Sequence, residues 1–222
     1  MRRTGWRRSW RRPATSRRAG GSIPQRAGPG GCLGDIGTHA HNLAGFISGL
    51  QVTELAADLG RFVPGRRLDD NVHVMLRYDN GARGMLWASQ VAPGNENALR
   101  VRIYGEKAGL EWSQEHPNQL RFAPMGKPPQ TLIARRPQPR PRRGARHAHP
   151  ARPSRGLSRG LRQSLSRSRR TDRARAAPSA NPMPSALLVP TVEDGARGVK
   201  FIAAAVESSS RNGAWVDARL AL

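Results

Sequence analysis

The 222 residues include a single cysteine, Cys32, so no disulfide can close within the chain and a disulfide-stapled secreted scaffold is excluded. Aromatic residues make up only 5% of the sequence. Trp87, Trp112 and Trp215 fall inside apolar segments, where packing on a sheet face accounts for Trp87 and Trp112 better than a ligand platform does. No apolar run approaches the roughly 20 residues of a spanning helix. No membrane partner is therefore expected, and a cytoplasmic location is. The amino end carries charge with no apolar region behind it, which excludes a secretory signal. It shares the Arg-rich, acid-poor composition of an organelle transit peptide but lacks an amphipathic stripe. No group of His, Cys, Asp and Glu is spaced as metal ligands are, so no metal is expected.

Acidic residues are missing from two places. Residues 1–27 hold nine Arg and no acid, and residues 135–175 hold fifteen Arg with Asp172 as their one acid. Because the whole chain has 38 basic and 15 acidic residues, the remainder carries fourteen of each and is neutral. The net charge of +23 thus belongs to two inserts in an ordinary body, and a uniformly basic domain is excluded. Ser166-Arg167-Ser168-Arg169-Arg170 is similar to the Arg/Ser segments that bind RNA, and such a stretch attracts any polyanion. Aromatic stacking residues are absent from 135–175, so the alternative function is nucleic-acid binding of low specificity.

The pattern divides the chain into four parts: 1–30, Arg-rich and expected to be disordered; 31–134, a folded core; 135–185, an Arg/Pro/Ser-rich segment without period, also expected to be disordered; and 186–222, a helix and tail that complete the fold. Ile36, Ala40, Leu43, Phe46, Ile47 and Leu50 recur at helical spacing, with Asp35 placed as N-cap and Gly49 as stop, which predicts a helix over 36–48. Val52, Leu55 and Leu59 suggest a strand within 51–62. Val72, Val74, Leu76 and Tyr78 alternate with His73, Met75 and Arg77. Asp79-Asn80-Gly81 then invites the positive φ angles of a tight hairpin, so 82–91 should pair antiparallel with the preceding strand. Further strands are expected near 99–104, 109–113 and 119–122. Val192, Ala196, Val199, Ile202, Ala203 and Val206 outline one face of a last helix, about 190–209, with Thr191 as cap and Glu193 and Asp194 at its positive end. The fold class is α+β: a mostly antiparallel sheet with helices on one face.

Gly30-Gly31-Cys32-Leu33-Gly34-Asp35-Ile36-Gly37-Thr38-His39 resembles the Asp-x-Gly-x-His signature of the glucose–fructose oxidoreductase, inositol dehydrogenase and MocA family of sugar and polyol oxidoreductases. LDDNVHVMLRYDNGARGMLWASQ (68–90), LRVRIYGEKAGLEW (99–112) and LLVPTVEDGARGVKFIAAAVESSSRNGAWV (187–216) look like the same family in the same order. The resemblance covers residues 28–134 and 186–217 and implies the family's C-terminal α+β substrate domain. The family's N-terminal Rossmann domain, which holds NAD or NADP, finds no counterpart here. No Gly-x-Gly-x-x-Gly follows a strand, and Glu106-Lys107-Ala108 is not the family's catalytic Glu-Lys-Pro. The expectation is a truncated member, inactive alone, that binds no cofactor by itself.

Both Arg-rich stretches also read as out-of-frame translation. Permitted codons for 153–165, taken one base later, spell His-Pro-Glu-Gly-Tyr-Leu-Glu-Ala-Phe-Ala-Asn-Leu, which looks like the amphipathic helix that family members carry before their Leu-Leu-Val-Pro-Thr segment. Permitted codons for 18–25, with two bases dropped, spell Arg-Trp-Arg-Ile-Asp-Pro-Ala, similar to a phrase that family members often have just before their Gly-Gly-x-x-x-Asp. If 150–165 no longer forms its helix, the sheet loses a cover.

The candidate catalytic residues are Asp35 and His39, i and i+4 on one helix, which share a face. By the resemblance, His39 exchanges the proton of the substrate hydroxyl while hydride passes between carbon and nicotinamide, and Asp35 holds substrate hydroxyls and biases the histidine. An imidazole suits proton exchange near neutral pH. Without the resemblance the two would read as a helix cap and a surface histidine. His41 is expected to face solvent, His73 to point outward from its strand, and His147 and His149 to sit in the second Arg-rich stretch. The partners implied are a sugar or polyol, and a second copy on the open sheet face.

Overall fold

The structure is a computed structural model that describes residues 28–134 and 189–221. The expected disorder of 1–30 and 135–185 therefore lies outside the described residues, apart from 28–30, of which Gly30 is buried. The chain divides into two units, 1–134 with 194–222, and 135–193. Of the second unit only 189–193 are described, of which Val192 and Glu193 open the last helix.

The first unit is α+β. A π-helical turn, Leu33–Gly37, runs directly into helix α1, Thr38–Ser48. Strands β1 (Val52–Gly60), β2 (Asn71–Tyr78) and β3 (Arg83–Ser89) follow, then β4 (Arg100–Tyr104), β5 (Ala108–Ser113), β6 (Gln119–Pro124) and β7 (Gln130–Ile133). Helix α2 (Val192–Ser210) and the two-residue β8 (Val216–Asp217) complete the described chain. In place of the single sheet expected there are two of four strands, ordered β3-β2-β1-β8 and β4-β5-β6-β7, with every pairing antiparallel.

The alternation in β2 does what its pattern demands. Val72, Val74 and Leu76 point into the core with Leu55, Ala57, Leu86 and Ala88, while Met75 and Met85 pair across the opposite face and remain exposed. The hairpin is antiparallel, with Arg77 opposite Arg83. Its turn is a three-residue one rather than the two-residue form: the Gly81 amide donates to the Tyr78 carbonyl, the Tyr78 amide to the Ala82 carbonyl, and only Gly81 takes a positive φ, of 87°. The Asn80 side chain is engaged in accepting the Ala82 amide, a local bond that holds the turn without left-handed strain at Asn80.

Helix α2 covers the first sheet with a face different from the one its apolar pattern outlines. Phe201, Ala204, Ala205 and Ser208 are buried, while Val192 and Val199 are 87% and 67% exposed. The reason lies at the edge of the sheet. β8 pairs only with Glu54 and Leu55 of β1, which leaves amides farther along β1 open. The Ser208 hydroxyl accepts the Ala57 amide at 2.8 Å and donates to the Ala214 carbonyl, and the Ser209 hydroxyl accepts the Leu59 amide at 3.1 Å. A buried amide must be satisfied. That requirement, together with the small Ala204 and Ala205 that allow close approach, sets the rotation of the helix.

The second sheet meets α1 through Val101, Ile103, Leu110, Trp112 and Leu120, which with Leu43, Phe46 and Ile47 line an apolar hollow of about 290 Å³. Trp112 lines this hollow, and its ring N–H donates to the Pro117 carbonyl at 3.2 Å. Trp87 is 60% exposed, stacks on His73 and donates to the Asn71 side-chain oxygen at 2.8 Å. His73 is exposed, as its place in the alternation requires.

Candidate functional site

The segment that carries Asp35 and His39 begins with a close approach. A Cβ on Gly31 would run into the Asp69 carbonyl oxygen, so only glycine lets the chain pass there. Asp69 then serves as the cap that Asp35 was expected to be. Its carboxylate accepts the Gly31 amide at 2.6 Å and the Leu33 amide at 2.8 Å, and its carbonyl accepts the Cys32 amide at 3.0 Å. Asp35 is not the N-cap because the helical conformation has already begun at Cys32. A residue from 34 positions farther on satisfies the open amides instead, a partner that no local pattern reveals.

Across the π turn the Thr38 amide donates to the Leu33 carbonyl, one residue beyond the α-helical bond. The extra residue turns the helix relative to an unbroken wheel. His41 is consequently not solvent-facing: its ring stacks on Phe201 of α2 at 4.3 Å between centroids, with planes 15° apart. Burial there pushes its pKa down to about 4. Cys32, fully buried, has its thiol pushed up to about 12, by burial first and then by the nearby carboxylates of Asp69 and Asp70. A thiol held protonated is no nucleophile.

Asp35 and His39 are both exposed and belong to the same helical segment. The Asp35 carboxylate accepts the Gln90 side-chain amide at 3.1 Å. Gln90 follows β3, and its backbone amide donates to the Asp70 carbonyl at 2.8 Å. In the sequence Gln90 is only the last letter of a family-like stretch, with no local pattern to single it out. Among the described residues no three His, Cys, Asp or Glu side chains converge as a metal site, and no helix is long and apolar enough to cross a membrane. His147 and His149 lie outside the described residues.

Residues 2–111 match the GFO/IDH/MocA C-terminal domain. The range takes in the first Arg-rich stretch and stops before the second. The uncharacterized oxidoreductase YfiI of Bacillus subtilis is 32% identical over 209 residues, 87% of this chain and 50% of that protein. An oxidoreductase of Sinorhizobium meliloti is 47% identical with a TM-score of 0.69, over 83% of this chain and 52% of that one. An inositol dehydrogenase homolog from Azotobacter vinelandii, complexed with NADH and myo-inositol, is 31% identical with a TM-score of 0.68, over 88% of this chain and 53% of that one. The chain thus spans about half the length of the relatives it matches. Motif, fold and relatives agree: the chain belongs to the GFO/IDH/MocA family, whose C-terminal domain it carries.

Proposed function

We propose that this chain supplies the substrate side of a NAD- or NADP-dependent oxidoreductase acting on a secondary hydroxyl of a sugar or polyol, or on the matching carbonyl. The observation that carries the reading is the exposure of Asp35 and His39 together on one helical segment, at a π turn whose amino end Asp69 ties down. π turns are frequent at functional sites. The inositol dehydrogenase homolog, bound to NADH and myo-inositol, supports the substrate class.

In this reading His39 takes the hydroxyl proton during oxidation and returns it during reduction. Asp35 accepts hydrogen bonds from neighbouring substrate hydroxyls. The nicotinamide supplies hydride chemistry when bound. The described residues do not fit a dinucleotide: every strand pairing is antiparallel, and no strand–glycine loop–helix unit is present to meet a pyrophosphate. The cofactor would therefore be gripped by residues outside those described, and the described residues alone would not turn substrate over. A second copy would pack on the open face of the first sheet, where Met75, Met85 and Trp87 are exposed. The arginines of 135–175 give a weak, salt-sensitive attraction to polyanions. The site of action is the cytoplasm.

The test is a pair of titrations of the full chain followed by NMR, one with myo-inositol and one with NADH. Shifts at Asp35 and His39 with the polyol, abolished in His39→Asn, are the expected result. Saturable capture of NADH, or indifference to every sugar and polyol tried, would overturn the reading. The out-of-frame origin of the Arg-rich stretches is tested separately by the nucleotide sequence of the gene, where codons incompatible with a one-base shift across 153–165 would remove it.

A further inference from the structure

We infer that Gln90 is a positioning residue for Asp35, holding the carboxylate so that one oxygen is committed and the other stays open to a substrate hydroxyl. The inference rests on the reading of Asp35 and His39 as the site. A chain of contacts runs from the core out to Asp35. It is rooted in Asp70, whose side chain is fully buried and accepts the Phe62 and Val63 amides, each at 2.9 Å. The Arg66 guanidinium lies 3.4 Å from the Asp70 carboxylate and donates to Gln90 Oε1 at 3.4 Å. Gln90 Nε2 in turn donates to Asp35 Oδ2 at 3.1 Å. The backbone of Gln90 is fixed by the same aspartate, through its amide bond to the Asp70 carbonyl, and Ser89 Oγ accepts the next amide, that of Val91, at 3.2 Å.

The order of the groups matters. A glutamine amide has a donor end and an acceptor end of nearly equal shape, so its neighbours decide which way it faces. Arginine can only donate, so Oε1 must face Arg66 and Nε2 must face Asp35. An arginine placed directly on Asp35 would form an ion pair and quench its charge. A neutral amide between them orients the carboxylate without setting a cation against it. Among the described residues Asp35 Oδ1 accepts no hydrogen bond, which is the vacancy a substrate hydroxyl needs. Holding an exposed carboxylate in one rotamer in advance lowers the entropy lost when substrate binds.

The experiment uses the full chain, labelled with nitrogen-15. Two readouts are taken: the side-chain amide signals of Gln90, and the apparent affinity for myo-inositol. Asp35→Asn and Arg66→Met should each move the Gln90 side-chain amide signals. Gln90→Leu, at an exposed position, should keep the melting temperature and weaken inositol binding about tenfold, or about 1.4 kcal/mol. Gln90 signals that ignore Asp35→Asn, or a Gln90→Leu chain that binds inositol as tightly as the parent, would overturn the positioning role. Should the parent chain bind no polyol, the substrate reading fails by itself, and the Gln90 amide signals alone decide whether Asp35 is held.

Discussion

The Ser208 hydroxyl, near the end of α2, accepts the amide of Ala57, in the middle of β1, at 2.8 Å. Both groups are buried, and the same hydroxyl donates to the Ala214 carbonyl at 2.6 Å. Replacing Ser208 by Ala leaves a buried donor and a carbonyl without partners, at a cost of about 1–3 kcal/mol. Denaturant unfolding should show Ser208→Ala losing stability in that range. Ser209→Ala, at a partly buried site, should lose less.

Asp69 is the second tie. Its two carboxylate oxygens take two amides at the opening of the π turn. Removing a helix cap costs about 0.5–2 kcal/mol, and the burial of Asp69 puts Asp69→Ala at the upper end. Asp69→Asn keeps one acceptor and should fall between. A cap lost here also loosens the segment that holds Asp35 and His39, so amide exchange across 33–39 should quicken in Asp69→Ala before global unfolding does.

The stacking of His41 on Phe201 gives a pH dependence with a definite sign. Its folded pKa of about 4 lies below the ordinary 6.5 of an unfolded chain. Between those values the unfolded state binds a proton that the folded state refuses, so stability rises with pH. The contribution is complete above pH 6.5 and is lost as pH falls towards 4, by about 3 kcal/mol at most. His41→Phe should flatten that slope in melting curves taken from pH 7 to 4; an unchanged slope would place the effect elsewhere.

Cys32 should be silent to thiol reagents. With its thiol buried and pushed up to about 12, the thiolate is scarce at neutral pH. Labelling with a disulfide reagent should be slow in the folded chain, and should accelerate in step with unfolding as denaturant is added.

Strong local periods were legible in the sequence. β2 and β4 announce themselves by strict alternation, and Gly49, at a φ of 72°, ends α1 where expected. Asp35 and His39 could be named because the motif that carries them is contiguous. What escaped notice depends on distant partners. β7 is four exposed residues at a sheet edge and β8 is two, too short for any period to register. The buried face of α2 is set by the needs of β1, which an apolar count of the helix cannot contain. The cap at Asp69 and the amide at Gln90 come from loops before β2 and after β3, polar residues with nothing local to single them out.

Because β1 is finished by hydroxyls 150 and 151 positions away, its open amides stay unmet until residues 208 and 209 have been synthesised. Any insertion between these points lengthens a loop whose closing entropy grows only slowly with length. The architecture can therefore host long, unrelated sequence in its middle, provided that the final turn of α2 arrives intact to dock on the strand.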